Sequence, residues 1–366
     1  MPLYCSHFMV APCKRTLGDV VPDNNSKMFR RCWRKLRHPV RHYTGSVTSS
    51  PDSDEKPFHT PVMVKEVLQF LDIKPGRSVV LDLTFGAGGH SKAILQSVPG
   101  ITVVAADRDP TVFQMAQGRV KPVLGRFSEL NNLLPALGFV PGGVDAALLD
   151  AGCSSMQMDS AERDFSLSKN GLLDMRMDGD RFDYYLGTPT CPARLTWSTA
   201  LDQQALASVL AAYGEERHTS KIAAAITQAS TPSVGPLFLA SVLYARRDRL
   251  QRPSHITTKT FQALRIFVND ELNELHAGLH VAQTLLRPKG RLCVLTFHSL
   301  EDRLTKRFLH GEDLAAPPRR SLRQRAKARS ADKYWVSLKN VIKPSEKEVQ
   351  ENPRARSAKF RTVVRR

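Results

Sequence analysis

The sequence predicts an α/β protein built on an open, Rossmann-like parallel sheet, with a block of helices inserted between two of its strands. Two observations lead to this prediction. Short apolar segments with the character of buried strands alternate with helical segments, which is the pattern of a parallel sheet with helices on both faces. That alternation stops near residue 156, and no strong buried strand follows until residues 291–297.

A glycine-rich turn follows the first strand and gives the strongest indication of a ligand. Residues 79–90 form a strand pattern, the turn Gly86-Ala-Gly88-Gly89 and the start of a helix. A second strand, over residues 101–107, ends in Asp107, whose carboxylate suits a ribose diol. The glycine spacing departs from the Gly-x-Gly-x-x-Gly pattern that wraps a pyrophosphate, so S-adenosylmethionine fits this turn better than NAD. A turn with a purely structural role is the alternative.

The other elements follow from apolar periodicity and turn residues. A helix over residues 61–71 ends at Pro75-Gly76, one over residues 89–97 follows the glycine turn, and another begins after Pro110. Residues 121–124 and 144–150 are predicted strands, the second ending in Asp150. Ligands of parallel sheets lie at the carboxyl ends of strands, so acids at several ends indicate a site.

The second half of the chain is mainly helical before it returns to strands. Helical stretches cover residues 206–213 and 222–228, and a long helix over residues 260–286 leads to the strand at 291–297. Residues 359–364 are expected to form a terminal strand. An inserted helical block beside a ligand edge commonly selects the substrate, and a stabilising lid is the alternative.

Positive charge is concentrated at the two ends of the 366-residue chain. The net charge is +18, and residues 1–50 carry 9 Lys/Arg against 2 Asp/Glu, whereas residues 311–366 carry 16 against 6. Two basic ends around a nearly neutral centre favour nucleic-acid binding or targeting. No apolar run is long enough to span a bilayer, so no membrane association is expected.

The N-terminal segment is typical of a mitochondrial import sequence. It is basic and poor in acids, and Phe29, Cys32, Trp33 and Leu36 recur at helical spacing opposite several arginines. A nucleic-acid-binding arm is the alternative. The six cysteines show no zinc spacing, so no metal is expected, and the three outside this segment suit a reducing compartment.

The motifs taken together resemble the MraW-type methyltransferases, which methylate the N4 amine of a cytosine in small-subunit ribosomal RNA. The resemblance runs from about His59 to Arg361 and rests on an ordered set of blocks. These blocks occupy residues 59–62, 82–90, 107–110, 148–155, 159–166, 173–178, 213–217, 261–265, 269–272, 297–303 and 352–359. With the import-like leader, the chain resembles a mitochondrial member of this family.

The resemblance implies a class I methyltransferase sheet that binds S-adenosylmethionine, with an inserted helical substrate-recognition domain. The domain boundaries expected are 1–50 for the targeting segment and linker, 57–155 and 258–310 for the two parts of the methyltransferase domain, 156–257 for the insert, and 311–366 for a basic C-terminal region. The cofactor contacts that the family implies fall on Gly88, Gly89, His90, Asp107, Phe127, Asp150 and Gln157.

The chemistry implied is displacement at a sulfonium methyl by an exocyclic amine, whose lone pair is delocalised into the ring. A carboxylate that accepts the N–H bonds of this amine would help, and Asp150 is the first choice. His298 and Glu301 are weaker candidates for orienting the base, because helix capping or surface pairing also explains them.

Two departures from the family pattern stand out. Residues 184–200 do not follow it, which puts the start of the insert in doubt, and Lys259 stands in the segment His255–Thr260 where the family usually has arginine. Lysine keeps the charge without the bidentate fork of arginine, so a phosphate contact there would be weaker.

The partner expected is mitochondrial small-subunit rRNA, free or in an assembling subunit, in the mitochondrial matrix, and the resemblance allows a homodimer. Two other functions remain open. A methyltransferase of another substrate would share the sheet without needing the basic C-terminal end. A ribosome-assembly factor could bind RNA and keep a cofactor site without turnover.

Overall fold

The computed structural model describes residues 60–76, 78–116, 120–160, 165, 175–179, 201–229, 253–312, 314 and 334–366. The predicted import segment, the divergent residues 184–200 and most of the basic stretch before residue 334 lie outside the described residues. None of the helices within these ranges is long and apolar enough to cross a membrane.

Seven strands of the described chain form one sheet. They are β1 (Val79–Asp82), β2 (Thr102–Asp107), β3 (Lys121–Leu124), β4 (Val144–Asp150), β5 (Leu286–Thr296), β6 (Trp335–Ser337) and β7 (Lys359–Arg365). Their order across the sheet is β3-β2-β1-β4-β5-β7-β6. The first five are parallel, and β7 runs antiparallel between β5 and β6. This order, with one reversed strand next to the edge, confirms the class I α/β sheet.

The strands are buried because helices cover both faces of the sheet. The described helices are α1 (Val64–Leu71), α2 (Gly89–Ser97), α3 (Pro110–Ala116), α4 (Phe127–Ala136), α5 (Ser155–Asp159), α6 (Gln203–Gly214), α7 (Thr219–Ala229), α8 (Pro253–Asn269), α9 (Glu271–Leu285), α10 (Ser299–Leu309) and α11 (Glu346–Glu351), with a 3-10 turn at Pro353–Ser357. One apolar cluster packs α4, α9 and α10 on one face, and another packs α1 and α2 on the opposite face.

A third apolar cluster belongs to the inserted helices. Leu206, Leu210, Ile222, Ala223 and Phe267 are almost fully buried in it, and they come from α6, α7 and α8. Tyr213 also packs there, 6.5 Å from Phe267 between ring centroids. These helices lie between β4 and β5 in the sequence and share one core, to which α8 contributes beyond the expected boundary at residue 257. The exact boundaries of the insert stay a prediction.

The single helix predicted over residues 260–286 is wrong. The chain forms two helices, α8 and α9, that separate at Asp270, which has a positive φ of 51°. Residues 288–290, expected to connect this helix to the strand, already belong to β5. The helix α10 and the three-residue edge strand β6 were not predicted, whereas the terminal strand β7 was.

Candidate active site

A cavity of about 320 Å³ lies at the carboxyl ends of β1, β2 and β4. Its size falls in the range of small-molecule sites. Most of the residues predicted as functional line it: Gly89, His90, Asp107, Phe127, Asp150, Gln157 and Glu301. The wall also includes Arg265 from α8 and Arg354 from the 3-10 turn, so segments from both ends of the described chain enclose it.

The glycine turn brings the backbone close to the cavity in two different ways. Gly88 has a φ of 76°, and a Cβ there would lie 2.6 Å from Cζ of Phe85. A Cβ at Gly89 would lie 2.9 Å from Cγ of Pro61. Gly88 does not itself line the cavity. It allows the turn that starts α2, whereas Gly89 lies at the cavity wall.

Asp107 is held by backbone donors at the end of β2. Its Oδ2 accepts from Gly86 N at 2.8 Å, and its Oδ1 accepts from Asp109 N at 2.9 Å. Burial raises the pKa of Asp107 to about 6, although these hydrogen bonds favour the charged form. Each carboxylate oxygen keeps a second lone pair, so a ribose diol has acceptors in a fixed position.

The third acid at this edge of the sheet, Asp82, forms hydrogen bonds within the glycine turn and α2 and does not face the cavity. It is fully buried, and it accepts from Ser91 Oγ at 2.7 Å and Thr84 N at 3.1 Å. Burial raises its pKa. Thr84 Oγ1 in turn accepts from Asp150 N at 2.7 Å. Asp82 thus fixes the turn and the start of α2 without lining the cavity.

Asp150 and His90 face each other across the cavity wall. Nδ1 of His90 lies 3.6 Å from Oδ2 of Asp150, and Nε2 of His90 lies 2.9 Å from the carbonyl oxygen of Val62. Within the described residues, Oδ1 of Asp150 is buried and makes no hydrogen bond. Burial raises the pKa of Asp150 to about 6, while the electrostatic influence of His90 acts in the opposite direction. Asp150 is therefore an acceptor with unused capacity beside the cavity.

Phe127 and Gln157 have different roles in the cavity wall. Phe127 begins α4 and packs against Gly278, where a Cβ would lie 3.0 Å from Cδ2 of the ring. Gln157 is buried and its polar atoms are bonded within the protein, since Nε2 donates to Asp109 and to the Met177 carbonyl, and Oε1 accepts from Ser154 N. Phe127 offers an apolar ring face, whereas Gln157 holds the loops around it.

A charged cluster closes the other end of the cavity. Arg265 donates to both carboxylate oxygens of Glu271, at 2.8 and 2.9 Å, and to Sγ of Cys153 at 3.1 Å. Glu301 lies next to it and accepts from Phe297 N at 2.8 Å. Burial raises the pKa of Glu301, but the charges of His298 and Arg265 outweigh burial and hold it below its usual value.

His298 does not line the cavity. It caps α10, where its Nδ1 accepts from Glu301 N at 3.4 Å and its Nε2 lies 2.9 Å from Oε1 of Glu301. Donor atoms of Glu271, His298 and Glu301 lie within 4.8 Å of one another, as in a metal site. Arg265 already takes both oxygens of Glu271 and supplies the positive charge that these acids need.

A second ion-pair cluster was not foreseen from the sequence. Asp178 accepts from Arg108 and from Nε of Arg126, the latter at 2.6 Å. Burial raises the pKa of Asp178, but the two arginines outweigh it and lower the pKa below its ordinary value. The signal was present in residues 173–178, where acids and an arginine alternate with apolar residues. The cluster fixes residues 175–179 against the cavity, since Met177 also lines it.

The residues at this cavity fit S-adenosylmethionine. Asp107 offers fixed acceptors for ribose hydroxyls, Phe127 an apolar face for adenine, and Asp150 a carboxylate near which a sulfonium is favourable. The N-terminus of α2, with Gly89 and His90 at the wall, suits the negative carboxylate of the methionine part.

Comparison with known proteins places the chain in a family. Residues 56–366 match the MraW methylase family. The 12S rRNA N(4)-cytidine methyltransferase METTL15 of Bos taurus is 48% identical over 342 residues, covering 84% of this chain and 82% of that protein. The ribosomal RNA small subunit methyltransferase H of Caulobacter vibrioides is 44% identical over 314 residues, covering 84% and 95%.

Among solved structures, TrmN from Thermus thermophilus is similar at 12% identity and a TM-score of 0.34, over 85% of this chain and 50% of that one. Strand order and the sequence relatives carry the assignment instead. The extent of the family match confirms the predicted S-adenosylmethionine-dependent methyltransferase, and the chain belongs to the MraW methylase family.

Proposed function

We propose that the protein methylates the N4 amine of a cytosine in mitochondrial small-subunit ribosomal RNA. The site observation that carries the proposal is Asp150, a carboxylate at the cavity wall with one oxygen that makes no hydrogen bond within the described residues. The names of the relatives support the substrate, because two of them act on small-subunit rRNA and one of these on an N4 amine of 12S rRNA.

The protein forms no covalent bond in this reaction and contributes mainly by positioning the reacting groups. S-adenosylmethionine supplies an activated methyl group when it is bound. Asp107 and Phe127 would hold the nucleoside part, and Asp150 would accept an N–H bond from the cytosine amine and localise its lone pair. Glu301 lines the cavity together with Gly152 and is proposed to position the base. His298 contacts the Glu301 carboxylate and is proposed to orient it.

The base must leave its stack to reach this cavity. Around the opening, Arg354 is 39% exposed, and Arg356 of the same 3-10 turn is exposed as well. These side chains and the basic C-terminal region are proposed to hold neighbouring phosphates. The proposed location is the mitochondrion, specifically its matrix. The proposed substrate is free rRNA or an assembling subunit, and the proposed oligomeric state is a homodimer.

The decisive experiment measures transfer of labelled methyl from S-adenosylmethionine to mitochondrial small-subunit rRNA, free and subunit-bound, with identification of the nucleosides. Wild type is expected to give N4-methylcytidine, and Asp150→Asn to lower the single-turnover rate by about 100-fold or more, because the amide loses the acceptor charge. The dissociation constant for the cofactor is measured in parallel.

Two outcomes would contradict the proposal. Transfer to another substrate or another nucleoside would assign a different methyltransferase activity. Tight binding of cofactor and RNA without transfer to either RNA form would favour the assembly-factor function.

A further inference from the structure

His90 belongs to the residues that the family resemblance assigns to the cofactor, yet its ring makes its polar contacts inside the protein. Nε2 lies 2.9 Å from the carbonyl oxygen of Val62, and Nδ1 lies 3.6 Å from Oδ2 of Asp150. The side chain is only 7% exposed. Nε2 is therefore bonded within the protein, and Nδ1 faces the Asp150 carboxylate.

The contact with Val62 fixes which nitrogen carries a proton. A carbonyl oxygen can only accept a hydrogen bond, so Nε2 is the donor and is protonated. Nδ1 then faces the Asp150 carboxylate either as a bare nitrogen or as a second N–H group. At 3.6 Å the two atoms are too far apart for a good hydrogen bond, but an N–H at Nδ1 would attract the Asp150 carboxylate, whereas a bare nitrogen would repel it.

We propose that His90 is a positioning residue for Asp150: the Nδ1 edge of its ring faces Oδ2 at 3.6 Å and so favours the ionised, oriented carboxylate, leaving Oδ1 to accept the amine N–H. This inference rests on the proposed function for the identity of the amine. In the reaction the new N–C bond forms as the S–C bond breaks with its electron pair left on sulfur, and the proton leaving N4 passes to the Asp150 carboxylate.

The other charged groups around Asp150 act against its ionised form. Burial is the largest influence and raises the pKa of Asp150, His90 on α2 lowers it, and Asp82 on β1 and Glu301 on α10 raise it further. Among these three residues, only the two acids, Asp82 and Glu301, would act on Asp150 if His90 were absent. The carboxylate would then take up a proton at higher pH and lose its capacity to accept.

Two substitutions separate this role from a structural one. Glutamine places its amide near the position of Nε2, so His90→Gln keeps a donor for Val62 but presents nothing to Asp150. Asparagine places its amide near Nδ1, so His90→Asn keeps a donor toward Asp150 and loses the bond to Val62. A merely structural role predicts that His90→Gln is the milder change, and a positioning role predicts the reverse.

The experiment records single-turnover methyl transfer against pH, together with the cofactor dissociation constant. For His90→Gln we expect the acidic limb of the rate profile to move up by about one pH unit or more, since an opposite charge at this range shifts a pKa by that amount. At neutral pH its rate should fall about tenfold below that of His90→Asn, with cofactor affinity changed by less than about threefold. A wild-type profile in His90→Gln would overturn the inference.

A measurement without turnover keeps the inference independent of the proposed function. In the cofactor-free protein, nitrogen-15 NMR of the His90 ring should show a protonated Nε2 throughout, and Nδ1 chemical shifts that change in Asp150→Asn. A neutral ring protonated on Nδ1 instead would overturn the inference. If wild type modifies no rRNA, the proposed function fails, and this spectrum alone decides the role of His90.

Discussion

Gly88 and Gly142 have the same backbone conformation but different surroundings. Both have a φ of 76°, yet a Cβ at Gly88 would meet the Phe85 ring at 2.6 Å, whereas nothing lies within 4 Å of a Cβ at Gly142. Gly142→Ala should cost about 1 kcal/mol in the free energy of unfolding, the cost of a left-handed alanine. Gly88→Ala should cost more, because the ring must also move.

The pair of variants can be compared in urea denaturation and cofactor titration. Gly88→Ala is expected to lower cofactor affinity about tenfold or more, because displacing Phe85 alters the cavity wall. Gly142→Ala should leave cofactor affinity unchanged. Equal effects of the two substitutions on both measurements would show that the contact between Gly88 and Phe85 is unimportant.

The acids at the strand ends show how far single residues can be predicted. Asp107 and Asp150 were foreseen together because strand ends share one edge of the sheet. The different roles of these two acids and of Asp82 depend on which donors the fold places near each oxygen, such as Ser91 for Asp82 and His90 for Asp150. That information comes from tertiary contacts between segments distant in sequence, so periodicity and spacing do not contain it.

At the scale of elements, the break between α8 and α9 has a specific use. The carbonyl oxygen of Asn269 accepts from Nη1 of Arg108 at 3.1 Å, and the Asn269 side chain binds the backbone of Met175 and Met177. A continuous helix would commit that carbonyl to an intrahelical bond. Apolar periodicity runs through the break, which explains why one helix was predicted. The pair Asn269-Asp270, tolerant of positive φ, was the available signal.

The cluster around Asp178 should be a main stabiliser of residues 175–179. Asp178→Asn leaves Arg108 and Arg126 facing an uncharged amide, and we expect a loss of about 3 kcal/mol in the free energy of unfolding. Asp159→Asn is the matched control, because Asp159 is 58% exposed in its pair with Arg354 and should lose about 1 kcal/mol or less. Urea midpoints of the two variants give the comparison.

The contribution of Asp178 should depend on pH in one direction. Its pKa in the folded protein lies below the ordinary value, so the stabilisation is present above about pH 4 and is lost as the pH falls through the folded pKa. The difference in unfolding free energy between wild type and Asp178→Asn should therefore shrink in acid. A difference that stays constant from pH 7 to pH 3 would show that the ion pairs do not carry it.

At the scale of the whole molecule, the net charge of +18 should govern RNA affinity. Affinity for the rRNA substrate is expected to fall at least about tenfold between 50 and 200 mM salt. Binding releases counterions from the phosphates, and this release is less favourable at higher salt concentration. Cofactor affinity, measured in the same buffers, should change far less. RNA affinity that is independent of salt would contradict the proposed phosphate contacts.

The order of the sheet was predictable at this scale only in part. Alternating strands and helices indicated the parallel half, and residues 359–364 indicated a terminal strand. The edge strand β6 covers only three residues, Trp335–Ser337, of which two are exposed, so no buried pattern marks it. Its position is set by pairing with β7, which follows it in the sequence.

Residues 60–63 and residues 348–352, which are far apart in the sequence, are hydrogen-bonded to each other near the cavity. Met63 N donates to Glu348, and Nδ2 of Asn352 donates to the Thr60 carbonyl at 2.9 Å. β7 also fills the place between β5 and β6. Ribosomal synthesis must therefore pass Asn352 and β7 before this enclosure can close. A product that ends before Asn352 would lack both the reversed strand β7 and the part of the cavity wall that Arg354 and Ser357 form, so ligand retention would distinguish it from a chain that includes them.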